Sequence, residues 1–116
     1  MGKASRDKGK RGELELAHAL KYYGYDCERG VQYCGRKGNA DVVGLPGVHI
    51  ESKRVERLDL YGSLSQSKSD AKDGEIPVVM HRKNNCEWVV IIPLEHFITI
   101  YREWEAGRQT MEANDG

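Results

Sequence analysis

The pair Pro46-Gly47, set between two apolar, β-branched runs, constrains the fold of this chain more than any other feature. Residues 40–45 (ADVVGL) precede it and Val48–Arg54 (VHIESKR) follow it, which predicts two strands joined by a tight turn. Positions 41 and 51 are equidistant from Pro46, so Asp41 is expected opposite Glu51 or within one position of it. Directly opposed cross-strand Cβ atoms lie about 4.5–5.5 Å apart, and like charges there are destabilising. Two carboxylates held that close need a shared proton or a cation between them. With oxygen ligands the expected cation is Mg²⁺, with Mn²⁺ as its substitute. Side chains alternate along a strand, so His49, Glu51 and Lys53 share one face. The plainer reading of the pattern is a pair of solvated acids with Lys53 as a surface partner.

The remaining elements follow from periodicity. Residues 9–24 carry a helical stripe of Leu16, Ala17, Leu20 and Tyr23, closed by Gly24. Residues 25–33 read as a strand, followed by a glycine-rich basic loop, CGRKGN. A weakly apolar helix is expected over residues 61–72, then strands over 77–82 and 87–92 around the turn HRKNN. Pro93 opens a last amphipathic helix with Phe97, Ile100, Tyr101 and Trp104 on one face. Core packing is the expected use of those aromatics; a subunit interface, supplied by this helix or by the hairpin of residues 76–92, is the alternative. The order α-β-β-β-α-β-β-α describes an α/β (α+β) chain with a mixed central sheet flanked by helices. Residues 9–106 are expected to form one domain, between a basic arm (1–8) and a polar tail (107–116).

Charge matters here through its distribution. Lys+Arg and Asp+Glu are both 18, which alone argues against a simple polyanion binder. Residues 1–37 nevertheless hold nine bases against five acids, and residues 87–116 hold six acids against two bases. Such asymmetry is a hint of a nucleic-acid contact at the basic end, although a solvated charged face is the commoner use. The longest apolar run, residues 88–92, is far short of the ~20 residues of a membrane helix, and no signal-peptide pattern is present. Cys27, Cys34 and Cys86 lack metal-knuckle spacing and fit reduced thiols of a cytoplasm.

A third acid belongs with the first two. At 100° per residue, Glu13 falls about 40° from the centre of the helical stripe, whereas Glu15 falls on the far side. A carboxylate on a core-facing stripe costs free energy unless something compensates it. A metal-linked carboxylate cluster would do so; pairing with Lys10 at the stripe edge is the alternative.

Lys10-Arg11-Gly12-Glu13 on the first helix, Asp41 in Ala40-Asp41-Val42-Val43, and Glu51-Ser52-Lys53 together resemble the PD-(D/E)XK nucleases. The similarity is greatest to the small archaeal- and phage-type Holliday junction resolvases and runs from about Lys8 to Phe97. Ala40 stands where the family name has proline. The resemblance implies a restriction-endonuclease-like core and metal-dependent hydrolysis of DNA phosphodiesters, with no organic cofactor. It implies that Asp41, Glu51 and the main-chain carbonyl of Ser52 bind Mg²⁺, and that Glu13 holds a second ion or its water ligands. Lys53 would orient the attacking water or stabilise developing negative charge. Lys8, Lys10, Arg11, Arg36, Lys37 and Arg54 flank this set and would contact phosphates. Gln66 stands where related nucleases carry a glutamine, so it would contact DNA or else face solvent.

Other readings are an end-processing or restriction-type nuclease of the same fold, and a non-catalytic DNA-binding or assembly module. An H-N-H arrangement from His81, Asn84 and His96 lacks its metal-binding helix. Resolution of a four-way junction needs two symmetric cuts, which implies a C2 homodimer. The setting would be the cytoplasm of a bacterium, an archaeon or a phage-infected cell.

Overall fold

The computed structural model describes residues 3–30 and 40–115. Helix α1 (Lys3–Tyr22) leads to the short strands β1 (Glu28–Arg29) and β2 (Val42–Val43), and then to β3 (Val48–Arg54). Helix α2 (Leu60–Asp70), strands β4 (Ile76–Arg82) and β5 (Val89–Ile91), and helix α3 (Leu94–Asp115) complete the chain. The sheet order is β1-β2-β3-β4-β5. Only the β3–β4 pair is parallel, because α2 carries the chain back between them; the other pairs are antiparallel. This is the mixed sheet flanked by helices that the element order predicts.

Two small-residue contacts set the layers. Gly12 of α1 is buried, and a Cβ there would lie 2.6 Å from Cβ of Arg54, so α1 crosses the end of β3 at a distance only glycine permits. On α2 the residues facing the sheet are Ser63 and Ser67, both buried. Ser67 Oγ donates to the carbonyl of Val78 at 3.0 Å, which satisfies its hydroxyl against the sheet. The helix is capped by Asp59, whose carboxylate accepts from Gly62 N–H.

The apolar core lies between α1 and the sheet. Leu16 and Ala17 meet Val42, Ile50, Val78 and Met80 there, with Cys27 closing one end. Val42 and Ile50 are register partners, so both point into this core. The alternation of β3 then sends His49, Glu51 and Lys53 to the other face.

Several expectations change. The helix begins at Lys3, so residues 3–8, expected as an arm, are part of α1; they contain no glycine or proline, and Gly9 costs only about 1 kcal/mol within a helix. Only Glu28 and Arg29 of the strand expected over 25–33 enter the ladder, residues 31–33 lying outside the described residues. Tyr23 is exposed in the turn after α1. The last helix runs through Gly107 to Asp115, supported by an Arg108–Glu112 ion pair at i,i+4. Its aromatic face is not part of the core: Phe97, Tyr101 and Trp104 are exposed. Among the described residues, no helix is long and apolar enough to cross a membrane.

Candidate active site

The β2–β3 hairpin closes with Val42 opposite Ile50, which sets Asp41 opposite Glu51 one step further from the turn. Asp41 is tied from both sides. Its N–H donates to Ile50 O at 2.9 Å, and its carbonyl accepts from Gly30 N–H at 2.8 Å. Its Oδ2 accepts from Ser52 N–H at 2.9 Å. Ser52 therefore meets Asp41 through its amide.

Glu51 is 3% exposed and lies among acids. Burial, the Asp41 charge, a side-chain hydrogen bond to Asp41 and the Asp70 charge push its carboxyl up to about 8, while Lys53 pulls it down. Glu51 holds its proton at neutral pH, which is the shared-proton arrangement that two opposed carboxylates require. On its other side Glu51 Oε1 meets His49 Nε2 at 3.0 Å. His49 is 1% exposed, and its Nδ1 lies 3.9 Å from Glu75. The ring is thus clamped between two carboxylates.

Glu13 enters from α1. It is half-buried and accepts from Arg29 Nε at 2.9 Å, so its partner is a β1 arginine and not Lys10. Burial raises its pKa most; Arg29 opposes this and the Asp41 charge adds to it. Asp41 therefore acts on both other acids and is the centre of the trio. The three do not make the tightest cage. Among the described residues, that is His49, Glu51 and Asp70, whose ligand atoms lie within 4.8 Å of one another.

The oxygen donors of Asp41, Glu51 and Asp70 suit a hard divalent cation. A buried carboxyl that two neighbouring acids keep from ionising is also what a cation would relieve. The residues present fit such an ion. His49 and Asp70 extend the expected set. His49 shares the strand parity of Glu51, a signal present in the sequence. Asp70 follows Ser63 and Ser67 on one helical face, but only the seating of α2 on the sheet brings that face to Glu51.

The basic residues divide. Lys8 and Lys53, with Gly9, Ser52, Arg54 and Val55, line an open cleft of about 300 Å³. Arg54 is engaged within the chain: Nε bonds both oxygens of Glu15 at 3.3 Å, and Nη2 donates to Asn84 Oδ1 at 3.1 Å. Arg82, its register partner on β4, also bonds Glu15. Glu15 was expected on the far side of α1; instead it binds both arginines and ties α1 across two strands. Lys10 and Arg11 are exposed on α1, and Gln66 is exposed on α2, one turn before Asp70. Arg36 and Lys37 lie outside the described residues. His81 and His96 stand on β4 and α3, with Asn84 in the turn after β4, so they share no element.

No family model and no curated protein matches the chain. Among solved structures it is similar to the Holliday junction resolvase Hjc of the archaeal hyperthermophile Archaeoglobus fulgidus, at 22% identity and a TM-score of 0.56. The match covers 71% of this chain and 74% of that one. The architecture built up above, a mixed five-stranded sheet flanked by helices, is the fold of that archaeal resolvase.

Proposed function

We propose that this protein is a divalent-metal-dependent endonuclease that hydrolyses DNA phosphodiesters, with four-way junctions as its preferred substrate. The observation that carries this reading is Glu51: a buried carboxyl bonded to Asp41, with Lys53 beside it at the edge of a basic cleft. A purely structural core would gain by replacing such a cluster with apolar residues. A site that binds a cation has a reason to keep it.

Asp41 and Glu51 would hold Mg²⁺ together with the Ser52 carbonyl, and Mn²⁺ would substitute. Glu13 would hold a second ion or its water ligands. When bound, the cation would lower the pKa of the attacking water and neutralise charge on the scissile phosphate. His49 fixes one oxygen of Glu51, which leaves the rest of that carboxylate to face Asp41. The Ser52 amide does the same for Asp41 Oδ2. Lys53 brings a positive charge to where the phosphorane oxygens become more negative. Lys8, which lines the same cleft, would neutralise a neighbouring phosphate, and Lys10, Arg11, Arg36, Lys37 and Gln66 would extend the contact along the strand. Arg54 contributes less directly, since Glu15 already holds it.

Four-way junctions are favoured because the fold is similar to that of an archaeal Holliday junction resolvase, and DNA shape would then dominate recognition. Two symmetric cuts require a two-fold pair of active sites, hence a homodimer. The test is incubation with labelled four-way junction, linear duplex and single-stranded DNA, in Mg²⁺ and in EDTA. The proposal expects Mg²⁺-dependent cleavage of the junction above the other two. Preference for duplex ends would keep the nuclease and remove the junction; binding without cleavage of any substrate would leave a non-catalytic module.

A further inference from the structure

Helix α3 is 22 residues long, about 33 Å, and no other element of the described residues packs along it. The radius of gyration, 16.0 Å, exceeds the ~13 Å of a compact chain of this length. Yet α3 is not polar all round. Leu94, Phe97, Tyr101, Trp104 and Met111 recur at the 3-4-3-7 spacing of a heptad seam, with Arg108 filling the remaining position. They are exposed by 74, 47, 40, 54 and 68% respectively. The three rings already form a row, with centroids 6.3 and 5.4 Å apart. A helix with such a stripe and nothing against it is unfinished.

We propose that α3 is a dimerisation element, its apolar seam covered by α3 of a second copy running antiparallel across a two-fold axis near residues 102–103. The heptad spacing favours a helix as the occupant, and one with the same spacing interlocks with it. The area suffices. Each large aromatic buries about 150–250 Å² when fully covered, so the exposed halves of six rings supply roughly 600 Å². Leu94 and Met111 of both copies bring the total to the order of 1,000 Å², the threshold of a specific interface.

Charge selects the orientation. A parallel pair would set Arg108 against its own copy in the seam, and would bring the acidic C-terminal ends, with Glu112, together. An antiparallel pair separates those ends and opposes the helix dipoles. It also places Arg108 beside Phe97 of the second copy. Arg108 already lies 4.9 Å from the Trp104 ring centroid, so its guanidinium is accommodated on aromatic faces.

This inference needs neither DNA nor metal, so its failure is distinguishable from failure of the nuclease reading. The test is sedimentation equilibrium of the full chain in EDTA, at up to about 100 µM. The expected mass is twice the 13.1 kDa of the monomer. Trp104→Glu should give monomer, whereas Ala106→Glu on the outer face should leave the dimer, with circular dichroism confirming folded protein in each. A wild-type monomer at 100 µM, a dimer that survives Trp104→Glu, or equal loss in Ala106→Glu would overturn the proposal. A nitroxide on Met111→Cys, in a Cys34→Ser/Cys86→Ser background, reads orientation. The antiparallel pair predicts a separation of about 25 Å, and about 10 Å would refute it.

Discussion

Replacing Glu51 by glutamine should change how stability depends on pH and on metal. In the folded chain without metal this carboxyl is pushed up to about 8, from an ordinary value of 4.5. Between those values the folded state keeps the proton while the unfolded chain releases it. The stabilisation is therefore complete below about pH 4.5 and is lost as pH rises through about 8. Each pH unit in that window costs at most about 1.4 kcal/mol, which sums to roughly 5 kcal/mol as an upper limit. For a chain of this size the loss corresponds to a fall in Tm on the order of 10–20 °C. Glu51→Gln carries no charge in either state and should flatten the profile. A cation at 100 times its Kd should return about 2.7 kcal/mol to the wild type and nothing to the variant. Thermal unfolding by circular dichroism, from pH 5 to 8.5 in EDTA and in Mg²⁺, measures both effects. Parallel profiles for wild type and variant would mean that Glu51 does not hold a proton in the folded chain, because the remaining acids are the same in the two proteins.

Asp70→Asn removes one of the charges that raise Glu51, and should move the same stability loss to lower pH in the same titration. Lys53→Ala should slow cleavage about 10²–10³-fold while leaving Mn²⁺ affinity within about twofold, as expected for charge stabilisation during reaction; a parallel fall in affinity would contradict that role. Gly12→Ala sets a Cβ 2.6 Å from Arg54 Cβ and should cost about 1–3 kcal/mol, read as a lowered urea midpoint. An unchanged midpoint would mean that α1 does not need its close approach to β3.

The hairpin was legible in the sequence because everything that sets it is local. Pro46-Gly47 sets the turn, and the period of two then dictates both the 42–50 register and the shared face of His49, Glu51 and Lys53. The limits of β3 were equally legible, since β-branched residues and turn residues bound it on both sides. What the sequence could not show depends on how elements are seated. Asp70 reaches Glu51 only because Ser63 and Ser67 let α2 lie against the sheet. Glu15 faces two arginines only because parallel pairing sets Arg54 beside Arg82 at the end of β3 that α1 crosses. The stripe on α3 was plain from its spacing. Spacing says that a face is apolar, not whether the same chain covers it, and here it does not.

Asp41 and Glu51 are proposed to form one cation site. Titration of Mn²⁺ into metal-free protein at pH 7.5, followed calorimetrically, tests this most directly. Saturable binding with release of protons is expected for the wild type, because Glu51 must lose its proton to take the ion. Asp41→Asn should abolish that binding with the fold intact. A wild type that takes up no Mn²⁺, or an Asp41→Asn protein that binds it as tightly, would contradict the account.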